Sequence, residues 1–104
     1  MSVVDKKEIR AVIDCKEFMA SGEVIWTFEL HDDCAAFQYG NQTCITAEAR
    51  GQVAGEEVRE RKLFDTRYIE TGDGWFEKFC LDIVKEMYGQ NAKAIEIVRE
   101  EAET

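Results

Sequence analysis

The chain's 104 residues allow one hydrophobic core and no second independent one. Its 13 basic and 22 acidic residues leave a formal charge of −9. A surface of that sign repels phosphate backbones, so direct DNA or RNA binding is not expected. No apolar run reaches the roughly 18 residues that a membrane-spanning helix needs, and no membrane association is expected. Apolar content of 45% is ordinary for a globular chain.

The N-terminal stretch Met1-Ser2-Val3-Val4-Asp5-Lys6-Lys7-Glu8 is charged where a secretory leader would be apolar, which leads us to expect a cytoplasmic protein. Residues 5–20 read as a first helix. Asp5 is placed to cap it, Ile9, Val12, Ile13 and Met19 share a face, and Ser21-Gly22 ends it. Phe18 falls off that stripe. From Glu23 the period becomes two. Val24, Trp26, Phe28 and Leu30 point one way, while Glu23, Ile25, Thr27 and Glu29 point the other, as in a strand covered on one face.

His31-Asp32-Asp33 has the composition of a turn. Residues 34–39 then return as a strand, Gly40-Asn41 marks a hairpin, and a further strand runs from Thr43 through Ala49. Residues 46–64 admit two readings. A helix capped by Thr46 would place Val53, Ala54 and Val58 inward, but Gly51 and Gly55 would each cost about 1 kcal/mol in its interior. A hairpin turning at Gly55-Glu56 avoids that cost. It pairs Val53 with Val58 and Ala47 with Phe64, and puts Ile45, Ala47, Ala49, Gly51 and Val53 on one face. The hairpin is the better reading, with its tip a charged ribbon extending beyond the core. The strand after it closes over Leu63 to Ile69.

Residues 73–89 carry the strongest helical signal. Phe76, Phe79, Cys80, Ile83, Val84 and Met87 recur as one apolar stripe, with Glu77, Lys78, Asp82, Lys85 and Glu86 opposite. Asp73 is positioned as N-cap and Gly89 as a left-handed C-terminal stop. Ile95 and Ile97 favour a short last strand over a helix capped by Asn91, and residues 100–104 read as a solvated tail. The sequence has no Pro and therefore no rigid linker. The expected fold class is α+β, a single domain over 1–104. Its order is an N-terminal helix, a four-strand antiparallel meander, an amphipathic helix packed on the sheet, and a short C-terminal strand.

Four cysteines, Cys15, Cys34, Cys44 and Cys80, lack close spacing and read as buried free thiols in a reducing compartment. His31 is the sole histidine. With Cys34, Cys44 and Asp32 or Asp33 it forms a weak metal pattern, since structural zinc sites show two close ligand pairs. No metal or other cofactor is expected. A small hydrolase or ligand-binding domain using His31 with Cys34 or Asp33 is the alternative function, but three residues across a turn give no reason for contact. Thr71-Gly72-Asp73-Gly74 lacks the lysine of a phosphate-binding loop. With no catalytic signature, the chain reads as no enzyme.

Acid is unevenly placed. Between residues 23 and 46 there are Glu23, Glu29, Asp32 and Asp33 with no Lys or Arg, and residues 70–104 hold nine acids against four bases. The leading expectation is a small acidic protein-binding module covering a basic surface on another protein, as an inhibitor, an immunity-type protein or an adaptor. A nucleic-acid mimic, such as a phage-encoded inhibitor of a host nuclease, is one version. Candidate partner-binding residues are Glu29, Asp32 and Asp33, Tyr39 beside Gly40-Asn41, and Glu56, Glu57, Arg59 and Arg61 of the charged ribbon. A homodimer through an edge strand or aromatic surface is a further possibility.

Overall fold

A computed structural model describes residues 3–15, 20–34, 42–66, 69 and 71–101. Strands β1 (Val3–Cys15), β2 (Ala20–Cys34), β3 (Gln42–Val53) and β4 (Glu56–Asp65) form a meander. Helix α1 (Trp75–Tyr88) follows, then a 3-10 turn (Gly89–Asn91) and strand β5 (Ala92–Glu101). The sheet order is β4-β3-β2-β1-β5, with every neighbouring pair antiparallel. After β4 the chain crosses one face of the sheet as α1 and returns on the far side of β1.

The expected N-terminal helix is not there. Residues 3–15 are a strand, held between β2 and β5. Ile9, Val12 and Ile13 have helical spacing, but Ile9, Ala11 and Ile13 also alternate, and these three are the buried residues. Lys7 is buried on the same face. A strand hydrogen-bonded on both sides outweighs a weak local helical preference. Met19 and Phe18 lie outside the described residues. The meander therefore begins one strand earlier than expected, and the fold is a five-stranded antiparallel sheet with a single long helix.

His31-Asp32-Asp33 is likewise no turn. It continues β2 as far as Cys34, with a register shift between His31 and Cys34. The expected strand over 34–39 and the Gly40-Asn41 hairpin lie mostly outside the described residues. The helical alternative for 46–64 is excluded, and a hairpin stands in its place. It turns one residue earlier than expected, at Ala54-Gly55, so Val53 pairs with Glu56, Gly51 with Val58 and Ala47 with Lys62. Ala54 at φ 55 and Gly55 at φ 80 give the two positive angles of a type I′ turn, whose twist suits the strands it joins. The register moves by two, so Ile45, Ala47, Ala49, Gly51 and Val53 keep the face expected for them. The ribbon does not protrude. Val53 pairs with Gly22 of β2, and the Ala54 N–H bonds the Ser21 carbonyl at 2.9 Å.

The core lies between the sheet and α1. Phe76, Cys80 and Val84 of the helix are buried against Ile9, Ala11 and Ile13, Val24, Trp26 and Phe28, and Ile45, Ala47 and Ala49. Their spacing by four is the expected stripe. Met87, expected in it, is exposed. Trp26 stands opposite Ile9 and Ala49, and the small Ala47, Ala49 and Gly51 of β3 leave room for its indole beneath the helix. The Trp26 Nε1–H donates to the Tyr88 hydroxyl at 3.0 Å, joining the centre of the sheet to the end of α1. Phe64 and Phe79 meet edge to face at 5.2 Å, fixing the helix over β4. Asp73 is not the N-cap. Gly74 is, in a left-handed conformation without a side-chain cap. Gly89 ends the helix at φ 52, its N–H bonding the Lys85 carbonyl.

β5 is longer than the short strand expected and takes in Glu100 and Glu101, which were expected in a solvated tail. They lie opposite Lys7 and Lys6 of β1. Residues 102–104 are outside the described set. Among the described residues no helix is long and apolar enough to cross a membrane.

Candidate functional site

α1 covers one face of the sheet, and no described element covers the other. Alternation places on this open face Lys6, Glu8 and Arg10 of β1, Glu23, Ile25, Thr27, Glu29 and His31 of β2, Thr46, Glu48 and Arg50 of β3, and Glu57, Arg59, Arg61 and Leu63 of β4. Register arranges them in rows across the sheet. Lys6, Glu29, Thr46 and Leu63 form one, Glu8, Thr27, Glu48 and Arg61 the next, and Arg10, Ile25, Arg50 and Arg59 a third.

Opposite charges pair along and across these rows. Arg50 reaches Glu48 at 3.1 Å and Arg61 reaches it at 3.8 Å, while Arg59 bonds Glu57 at 2.8 Å. At the β1–β5 side Arg99 lies 3.7 Å from Glu8, and Arg10 pairs with Glu96. Exposed pairs of this kind contribute little to stability, about 0–1 kcal/mol each, so their value to the protein lies in the pattern of charge they present. Glu29 has no ion-pair partner among the described residues.

Two adjoining concavities indent the open face. One of about 520 Å³ is lined by Thr27, Glu29, His31, Thr46, Glu48 and Arg61, among others. The other, of about 530 Å³, is lined by Lys6, Glu8, Ile25, Thr27, Glu29, Glu48 and Arg50 with Gly51. Thr27, Glu29 and Glu48 belong to both, so the depressions form one trough, lined by the carboxylates of Glu8, Glu29 and Glu48 and by Lys6, Arg50, Arg61 and Lys62. A separate hollow of about 490 Å³ lies at the start of α1, between Ile69, Trp75, Phe79 and Asp82.

His31 is buried at the end of the trough. Its Nε2 shares a hydrogen bond with the Thr46 hydroxyl at 2.9 Å, and its Nδ1 is buried with no partner among the described residues. Among the described residues no carboxylate orients the ring, as a nucleophile's base would need. Cys44, opposite His31 in register, is disulfide-bonded, which corrects the expectation that all the cysteines are free thiols. A sulfur held in a disulfide is neither a thiolate ligand nor a nucleophile. Cys80 is a free, buried thiol on α1, and burial pushes its pKa far above the ordinary range. That makes it an inert core residue rather than a reactive one. The Tyr88 phenol is also raised, chiefly by burial, with the Trp26 hydrogen bond opposing the shift.

Of the residues singled out from sequence, the open face brings together Glu29, Glu57, Arg59 and Arg61. Glu56 points to the helix side, where it is exposed, and Asp32 is exposed near the end of β2. Asp33 belongs to β2, and Tyr39 lies outside the described residues. Sequence reasoning missed Lys6, Glu8 and Arg10, which the helical reading of β1 hid, and the Glu48–Arg50 pair. The alternation Lys6, Glu8, Arg10 against Lys7, Ile9, Ala11 was the available signal.

The chain matches no protein-family model, no curated protein and no solved structure.

Proposed function

We propose that this is a small acidic protein-binding module that lays the open face of its sheet against a basic surface on another protein, as an inhibitor, an immunity-type protein or an adaptor. The observation that carries the reading is the trough of mixed charge, in which Glu8, Glu29 and Glu48 lie among Lys6, Arg50, Arg61 and Lys62. Glu29 is half-buried and has no ion pair among the described residues, with Lys6 opposite it in register, so a partner's Lys or Arg entering the trough competes with Lys6 for that carboxylate. The excess of 22 acids over 13 bases favours approach of a basic protein from a distance. Nucleic-acid mimicry, as in an inhibitor of a nuclease, is one form of this activity. The flanking arginines break up the acidic surface, so a mixed-charge protein interface suits the face better.

A cytoplasmic location belongs to the same proposal. The Cys44 disulfide runs against it, because cytosolic thiols are kept reduced, and thiol titration of the protein freshly released from its source decides the matter.

The test is capture of partners from the source lysate on immobilised protein, with elution along a salt gradient and Glu29→Lys as the comparison. A basic protein held by the wild type, released at high salt and lost from Glu29→Lys is the expected result. Retention that ignores both salt and the substitution would refute the reading.

A further inference from the structure

The two edges of the sheet are built differently. β5 meets β1 with register shifts between Glu8 and Ile9 and between Val12 and Ile13. Such irregularities bend an edge away from further pairing. β4 pairs with β3 over ten residues, from Glu56 to Asp65, without a shift, and no described strand lies on its other side. The chain contains no Pro to blunt it. In a hairpin closed by a two-residue turn, the flanking Val53 and Glu56 bond each other. Glu57, Arg59, Arg61, Leu63 and Asp65 then direct their N–H and C=O groups outward.

Charged edge residues usually block pairing by setting like against like. Here the order of signs does the opposite for one partner. We infer that β4 pairs antiparallel with β4 of a second copy of this chain, about a twofold axis at Arg59, joining two five-stranded sheets into one. In that register Glu57 faces Arg61 of the second copy on the open face, and Glu56 faces Lys62 of the second copy on the helix face. The twofold repeats both pairs. Sliding by two residues one way sets Glu56 against Glu60, and the other way sets Arg59 against Arg61. The axis itself sets Arg59 against Arg59 of the second copy, one like pair beside four opposite ones. The first slide balances its two Glu56–Glu60 pairs with two Glu57–Arg59 pairs, and the second has like pairs alone, so the sequence Glu56-Glu57-Val58-Arg59-Glu60-Arg61-Lys62 favours the register centred on Arg59. Glu57 and Arg61 have side chains 64% and 84% exposed, so both can reach a second copy. The pairing uses the edge of the sheet and does not depend on the proposed partner of the open face.

Sedimentation equilibrium of the purified chain tests the inference. The wild type gives twice the 12.0 kDa of one chain, dissociating on dilution. Glu57→Arg and Arg61→Glu each weaken the dimer by about tenfold, because each loses two attractive pairs and gains two repulsive ones. The combined E57R/R61E variant re-forms opposite pairs and restores it. Arg59→Cys, in which the twofold brings the two thiols together, forms a disulfide-linked dimer under mild oxidation, and Leu63→Cys does not. Circular dichroism separates lost pairing from lost folding, and if a charge variant unfolds, the cysteine pair decides. A wild type that stays monomeric throughout the micromolar range overturns the inference. So do single variants that dimerise like the wild type, a combined variant that fails to recover, or crosslinking at Leu63→Cys but not at Arg59→Cys.

Discussion

Tyr88→Phe removes one hydroxyl and leaves the ring in place. The Trp26 side chain it serves is fully buried, and its Nε1–H has the Tyr88 oxygen as acceptor at 3.0 Å. Without that oxygen the indole N–H is stranded between sheet and helix. A buried donor losing its partner costs about 1–3 kcal/mol. Tyr88 is itself half-buried, so water partly compensates, and about 1–2 kcal/mol is expected. At about 4–8 °C per kcal/mol for a domain of this size, the melting temperature falls by roughly 5–15 °C. Urea unfolding followed by circular dichroism measures the change. Repeating it in a Trp26→Phe background isolates the coupling, because removing both partners leaves no orphaned donor. A loss below about 0.3 kcal/mol, or an undiminished loss in the Trp26→Phe background, would show that the hydrogen bond is not what ties α1 to β2.

Three further outcomes follow from the same geometry. Ala54 sits at φ 55 beside Gly55 at φ 80, so Ala54→Asn supplies the preferred Asn-Gly turn and raises stability by about 0.5–1 kcal/mol; a lowered melting temperature would contradict the turn assignment. A methyl on Gly51 would lie 2.0 Å from the Glu23 carbonyl oxygen and 2.7 Å from the Val24 Cα. Backbone cannot withdraw cheaply there, so Gly51→Ala costs more than about 2 kcal/mol. Gly55→Ala, with nothing within 4 Å of the new methyl, costs only the roughly 1 kcal/mol of its positive φ, and equal losses in the two variants would rule out the close β2–β3 approach. Burial raises the Cys80 thiol and the Tyr88 phenol, so the fold favours their neutral forms. Stability is full below the unfolded pKa values and declines as pH rises past about 8.5 for the thiol and about 10 for the phenol. Cys80→Ala should flatten the fall between about pH 8 and about pH 9.5, and an unchanged slope in urea midpoints would count against a buried thiol.

The elements legible in the sequence are those whose signals are local. The stripe Phe76, Cys80, Val84 repeats every four residues and becomes α1. The alternation Val24, Trp26, Phe28 becomes the centre of β2. Gly51 and Gly55 disfavour a helix through the middle, and a hairpin forms there. The turn position was off by one residue, yet the faces were right, because moving a two-residue turn by one shifts pairing by two. Asp73 was chemically suited to cap α1, but the chain enters the helix through a left-handed Gly74, which local composition did not distinguish. The candidate site was half visible. Glu29, Glu57, Arg59 and Arg61 were named as charges, without any means of knowing that register would gather them on one face with Glu48 and Arg50.

What the sequence determined by itself is the set of amphipathic segments with strong single periods, together with the sign and excess of charge. What only the tertiary structure decided is the state of residues 3–15. Ile9, Val12 and Ile13 satisfy one period, and Ile9, Ala11 and Ile13 the other. β2 and β5, the second of them arriving from the far end of the chain, settle the choice by hydrogen-bonding both sides of β1 and burying the alternating set under α1. A local pattern records only which residues share a face. Which face is buried, and beside which strand, is fixed by partners distant in sequence, and the open face with its trough follows from that pairing.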